Sequence, residues 1–285
     1  MNIIVGIFAY NEEETLPLCI ESICGQTIYE RIKKIVIYAD GCTDDTIQVA
    51  KRLAKSNSRI RVIEHPERQG KVSRVREFIT NHTGYDAMVV ASADIILDGV
   101  CLEKMVLNFN DPECGIVGVK VIPSVKSNSE TPMQRVARVM WDLHHRISRH
   151  HPKFGELIVF RNIPMDIGDG SVDEEQVAHA VRSRGYTGKY ESEAVVYNFP
   201  PTSYQALFYQ RRRIWCGHLE LKNRTGYQVP TTSLTEIARA MRSSASEHGF
   251  KDLMTAVALE IPSMLYGYVD YVICPAKHYK WKRGK

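Results

Sequence analysis

At 285 residues the chain is long enough for one large domain or two small ones, each with ample core. Its 44% hydrophobic and 25% charged residues, with no low-complexity tract, exclude a disordered or fibrous protein. A formal net charge of +4 is too mild to imply nucleic acid, although basic residues gather at Arg211-Arg212-Arg213 and in the final KHYKWKRGK, where they would suit an anionic partner.

The first half alternates strand and helix. Ile3 to Phe8 is a continuous, largely β-branched run, as in a strand covered on both faces. Asn11-Glu12-Glu13-Glu14 is expected to open a helix reaching about Cys24, its acids favouring the helix dipole. A second strand spans Lys34 to Tyr38, and Thr43-Asp44-Asp45 caps a helix to about Ala54. A third strand covers Ile60 to Ile63, a helix Lys71 to Thr80, and a fourth strand Ala87 to Ala91. This spacing predicts a mostly parallel α/β sheet, in which ligands bind beyond the carboxyl ends of the strands. Tyr10-Asn11-Glu12, Asp40-Gly41 and Asp94 all fall at those ends.

After about Pro123 the pattern changes. Gln134 to Arg149 reads as an amphipathic helix with Val136, Val139, Met140, Leu143 and Ile147 on one face. Leu157 to Phe160 is a strand, Glu174 to Arg184 a helix ended by Gly185, Val195 to Tyr197 another strand, and a further helix starts near Thr202-Ser203. His144-His145 and His150-His151 read as a solvated basic helix, because adjacent helical residues point in different directions. Seven scattered cysteines form no CxxC and no disulfide framework, which suits a reduced, cytoplasmic setting. The opening MNIIVGIFAYNEEE lacks the basic start of a signal peptide, and no apolar run is long enough for a simple spanning helix.

Six segments, taken in order, resemble the motifs of family 2 glycosyltransferases: FAYNEEETL, YADGCTDDT, RQGKVSRV, SAD, VDEEQVAHAVRSRGY and FYQRRRIWCGHLEL. The resemblance covers roughly residues 2–220. It implies a GT-A fold, a Rossmann-like, mostly parallel central sheet flanked by helices. The simplest division is a catalytic domain over 1–220, with a nucleotide-sugar half to about 123 and an acceptor half over 124–220, followed by a helical C-terminal extension over 221–285.

The resemblance also implies an inverting transfer of sugar from a UDP- or GDP-sugar, assisted by Mg2+ or Mn2+, to a hydroxyl or phosphate acceptor. Relatives that work on lipid-linked or cell-surface acceptors point to polysaccharide or glycolipid biosynthesis. Ala9, Tyr10, Asn11, Glu12, Asp40, Lys71, Ser92 and Ala93 fall at the nucleotide-binding motifs. Asp94 matches the metal-binding last acid of the D-x-D, but Ser92 replaces its first acid; a strand-end turn is the plainer reading of Asp94. Asp40 matches one acid of a pair whose other position is Ala39, and here nucleotide contact and a strand-to-helix turn weigh equally. Tyr10, Asn11 and Glu12 also suit simple helix capping, and Lys71 either meets a phosphate or begins a solvated helix.

The resemblance implies a catalytic base at the second acid of an E-D motif, eleven residues before the helix-ending glycine; counted back from Gly185 this is Glu174, with Asp173 as the fallback. Gln210, Arg212, Arg213 and Trp215 match a segment that meets phosphates and acceptor. The extra Ile214 turns Trp215 by about 100° from the processive pattern, so that Trp215 also reads as core. Two rivals remain. A nucleotidyltransferase would need a Gly-rich basic loop after the first strand, where this chain has AYNEE; a non-catalytic nucleotide or glycan module draws support from Ala39 and Ser92. Finally, Leu253 to Ile261 is expected to be a helix with an apolar face, stopped by Pro262. With the basic, aromatic tail it either attaches to an anionic membrane surface at the cytoplasmic face or packs on the protein.

Overall fold

The computed structural model describes residues 1–124 and 130–273. The basic tail assigned above to an anionic surface lies outside the described residues. In chain order the elements are β1 (Ile3–Ala9), α1 (Leu16–Cys24), β2 (Ile32–Asp40), α2 (Thr46–Ser56), β3 (Ile60–His65), α3 (Lys71–Asn81), β4 (Ala87–Ser92), β5 (Ile95–Leu97), α4 (Cys101–Leu107), β6 (Cys114–Pro123), α5 (Pro132–Ser148), β7 (Leu157–Arg161), α6 (Asp173–Arg182), β8 (Thr187–Asn198), α7 (Tyr204–Thr225), α8 (Leu234–Ser244) and α9 (Phe250–Ile273). They divide into two compact units. The first comprises Met1–Lys120, Phe154–Asp169 and Asp173–Asn198; the second comprises Val121–Lys153, Gly170–Val172 and Phe199–Lys285.

The eight strands are ordered β3-β2-β1-β4-β7-β6-β8-β5. The block β3-β2-β1-β4 is parallel, as the strand-helix alternation predicts. Beyond it, β7 pairs antiparallel with β4 and β6, and β5 pairs antiparallel with β8. All seven residues of β1 are buried, which is why its sequence is a continuous apolar run and not an alternating one. Phe8 stacks on Tyr38 at 5.3 Å, and Phe78 of α3 meets both rings edge-on. A Cβ on Gly6 would lie 3.0 Å from the Phe78 ring, so the missing side chain is what lets α3 approach β1.

One helix start differs from expectation. The chain turns from Asn11 through Thr15, and α1 begins only at Leu16, with a proline in its first two positions. Asn11 is left-handed (φ 56°), a conformation its short polar side chain tolerates and a helix does not use. Glu13 therefore binds the neighbouring loop, accepting from the Asp45 amide at 2.8 Å, while the Glu12 carboxylate accepts from Thr15 Oγ1 at 2.6 Å and its amide donates to Thr46 Oγ1 at 2.7 Å.

In the second unit, α5 starts at a capping box, Thr131 and Gln134 each accepting from the other's backbone, and α7 starts where Ser203 accepts from the Ala206 amide. Met133, Val136 and Val139 of α5 form a core with Leu207 of α7 and with Leu253 and Ala256 of α9. His144 corrects the expectation of a solvated histidine run. It is buried beside Trp141 with Ser148 against its ring, and burial, then Lys153 and Arg211, hold its imidazole neutral. The helix expected to stop at Pro262 also differs: α9 runs unbroken from Phe250 to Ile273 with Pro262 inside it. The Ser263 hydroxyl donates to the Leu259 carbonyl at 2.7 Å, meeting an acceptor in the turn the proline disturbs.

Candidate functional site

The site is built from the carboxyl ends of the parallel strands in the first unit. Asp40, the last residue of β2, is buried and does structural work. Its carboxylate accepts from the Gln69 amide at 3.1 Å, the Gly70 amide at 2.7 Å and Arg74 Nε at 2.8 Å. Gly41 follows at φ 66°, where a Cβ would stand 2.6 Å from the Arg68 backbone nitrogen, so only glycine fits. This latch fixes the turn that begins α3 and so places Lys71, its first residue. Above it, the Arg68 guanidinium lies 3.4 Å from the Tyr10 ring centroid, and the Asn11 amide bonds Thr43.

From that position the Lys71 ammonium reaches three groups. Nζ lies 2.5 Å from Glu174 Oε1, 3.0 Å from Asp173 Oδ2 and 3.1 Å from Ser92 Oγ. Four candidates from three separate motifs therefore meet in one cluster. The solvated-helix reading of Lys71 fails, because its charge is spent on carboxylates. Asp173 is buried and Glu174, the next residue of α6, is the more open of the two. Burial, then the adjacent Glu174 carboxylate, raises the Asp173 carboxyl to about 7. Burial works on Glu174 in the same direction, but the Lys71 ammonium and its hydrogen bond outweigh it and hold Glu174 well below the usual carboxylate range.

Sequence reasoning missed one member. Glu156, in the link before β7, faces this cluster from the side of Ser92. Its carbonyl accepts from the Ser92 amide at 2.9 Å, and its backbone is left-handed at φ 55°. Burial, then the charge of Asp94, pushes its carboxyl up to about 7. A charged residue in a loop carries no motif, and only the strand order brings Glu156 to β4. Asn198, the last residue of β8, pairs with Ile95 and donates to Glu156 Oε1 at 3.3 Å.

Asp94 sits in the two-residue link between β4 and β5, after buried Ala93. Among the described residues no three His, Cys, Asp or Glu side chains come together as a metal cage. A hard divalent cation does not need one, since one or two carboxylates suffice when phosphates and water complete the shell. Asp94 offers oxygen donors beside other carboxylates whose charge Lys71 only partly offsets, so the donor set fits such a cation.

The remaining candidates lie on α7 in the second unit. Arg212 forms an ion pair with Asp270, Arg213 donates to the Ser171 carbonyl at 2.8 Å, and Trp215 is buried with Nε1 donating to Glu260 at 2.6 Å. Trp215 thus packs as core, and Gln210 stays half-buried on the same helix.

The family model for glycosyl transferase family 2 matches residues 4–175, which include all of β1 but Ile3, and Asp40, Lys71, Asp94 and Glu174. Two of the solved structures that share the fold serve for comparison. One is the mannosyltransferase PcManGT from Pyrobaculum calidifontis in complex with GDP-Man and Mn2+, at TM-score 0.65 and 18% identity over 95% of this chain and 87% of that one. The other is S. aureus TarS residues 1–349 in complex with UDP-GlcNAc, at TM-score 0.54 and 12% identity over 95% and 92%. No curated protein matches the sequence. With more than half of its length matched and its acids and lysine meeting at the carboxyl edge of a GT-A-like sheet, the chain belongs to glycosyltransferase family 2.

Proposed function

We propose that this glycosyltransferase works with inversion, moving a sugar from a UDP- or GDP-sugar to a hydroxyl or phosphate acceptor in one displacement. The observation that carries the reading is the contact of Lys71 with Glu174, Asp173 and Ser92 beside Asp94. Glu174, the more open acid, takes the proton from the acceptor hydroxyl as its oxygen attacks the anomeric carbon and the nucleoside diphosphate leaves. In the free enzyme Lys71 holds Glu174 too acidic to be a strong base. A bound diphosphate competes for the same ammonium, which strengthens the base when donor is present. Asp94 is the carboxylate that would hold Mg2+ or Mn2+, which stabilises charge on the departing diphosphate. Tyr10, Asn11 and Ser92 line the nucleotide side.

Incubating the enzyme with a panel of nucleotide sugars and either metal, without acceptor, should reveal slow hydrolysis of its own donor. Asp94→Ala should lose both that hydrolysis and the metal-dependent part of nucleotide affinity. A protein that binds and hydrolyses none of the panel would be a non-catalytic member, as Ala39 and Ser92 would then explain.

The acceptor side of the proposal is a membrane surface. No described helix is long and apolar enough to cross a membrane. Yet α9 exposes Ile261, Leu265, Tyr268 and Val272 at helical spacing, each at least 50% exposed. With the basic tail that follows in sequence, this face suits peripheral attachment to anionic lipid at the cytoplasmic face, next to a lipid-linked acceptor. Sedimentation with anionic vesicles at low salt, lost at high salt, is the expected result; a protein that stays in the supernatant at low salt has a soluble acceptor.

A further inference from the structure

We infer that Glu156 and Asn198 form a hydroxyl-binding pair beside Asp94 that selects the transferred sugar. The inference rests on the glycosyltransferase reading of the site and adds residues that no motif supplies.

The two residues bracket the segment that carries Asp94. Glu156 is tied to Ser92 through its carbonyl, and Asn198 is paired with Ile95 across the β5–β8 ladder. Their side chains meet at 3.3 Å, Asn198 Nδ2 donating to Glu156 Oε1. That leaves acceptors in excess. Asn198 is only 6% exposed, and its Oδ1 accepts no hydrogen bond among the described residues. A buried carbonyl oxygen without a donor normally has one supplied by water or ligand. Next to it the Glu156 carboxyl, which also meets the Ser92 side chain, has acceptor capacity beyond these two bonds when ionised. A carboxylate and an amide oxygen side by side demand a ligand rich in O–H donors, which describes the neighbouring hydroxyls of a hexose better than a diphosphate or a base. Ser92 strengthens the case. Where the family pattern carries an acid on β4, this chain has a shorter hydroxyl, and Glu156 brings a carboxylate to the same strand end from the link before β7.

The test is calorimetry with Mn2+ on the wild type, Glu156→Gln and Asn198→Ala. Each protein is titrated with UDP, GDP, and the nucleotide sugar that the wild type hydrolyses. Both variants should bind the nucleotide sugar about tenfold more weakly, while the bare nucleoside diphosphate binds within about twofold of wild type. Unchanged diphosphate binding also certifies the fold, and Asn198→Ala, which leaves the left-handed residue intact, covers a failure of Glu156→Gln to fold. Equal losses for nucleotide sugar and diphosphate would make Glu156 a ligand of the cation or nucleotide and overturn the inference; so would no loss for either. A wild type that binds neither compound overturns the glycosyltransferase reading itself, and the inference with it.

Discussion

The two units handle charge and apolar surface in opposite ways. In the first, Glu156, Asp173 and Glu174 gather about Lys71, with Asp94 beside Glu156, so acids outnumber the lysine at the carboxyl edge of a sheet whose apolar residues are buried. In the second, arginines meet acids pair by pair: Arg211 with Glu260, Arg212 with Asp270, Arg135 with Asp252 and Arg146 with Asp142. There it is apolar surface that is left over, along the open face of α9. Charge paired within the fold holds structure together, whereas charge in excess waits for a partner from outside. Substitutions should therefore strike function in the first unit and stability in the second.

The largest expected effect breaks the first half of that contrast. Glu174→Gln keeps shape but cannot take a proton, so transfer should fall by about three orders of magnitude or more while donor affinity stays near wild type, and Tm falls only by the loss of the Lys71–Glu174 pairing. If the variant transfers normally and Asp173→Asn does not, the base is the neighbouring acid. Retention of transfer by both would remove the base from this cluster altogether.

How much of this was legible in the sequence follows the same division. The parallel strands were readable because each is a short apolar run ending in a polar turn, and Lys71, Asp94 and Glu174 could be singled out because motifs fix their places in the sequence. Asp40 was equally balanced in sequence, and the structure shows a latch under α3, a role only its buried contacts reveal. Glu156 and Asn198 had no local signal, since the antiparallel pairing of β7 with β4 and of β8 with β5 brings them to the Asp94 segment from far along the chain. The start of α1 was misplaced because acids before a helix look alike whether they cap it or bind the next loop. The span of α9 was cut short because proline usually ends a helix, and the core that α9 shares with α5 and α7 from earlier in the sequence cannot be read ahead.

A second prediction tests the stabilising half. Glu260 accepts from Arg211 through both carboxylate oxygens and from the Trp215 indole, at 2.6–3.2 Å. Glu260→Ala leaves a guanidinium and a buried indole N–H without their acceptor, and should cost about 2 kcal/mol, or roughly 5 °C in Tm. Donor hydrolysis measured well below that temperature should persist. An unchanged Tm would mean the pair contributes nothing, and the contrast between the units would lose its second arm.

The smallest effect is a pH dependence whose sign separates the two acids of α6. Asp173 is raised to about 7 in the fold from an ordinary value near 3.8, so between about pH 4 and 7 the folded protein holds a proton that the unfolded chain has lost. The stability it contributes is full below pH 4 and is lost as pH rises through 7. Glu174 runs the other way. Its depressed carboxyl contributes stability above its ordinary value of 4.5, lost only as pH falls further, so the two windows barely overlap. Wild-type Tm in the absence of donor should then decline from pH 5 to pH 8. Asp173→Asn, which mimics the protonated form, should match wild type at pH 5 and exceed it at pH 8 by a few degrees, on the order of 1 kcal/mol. Part of the slope should remain, because the raised carboxyl of Glu156 titrates in the same window. A wild-type Tm that rises from pH 5 to 8, or a variant that keeps the full slope, would show that Lys71 holds Asp173 ionised as well.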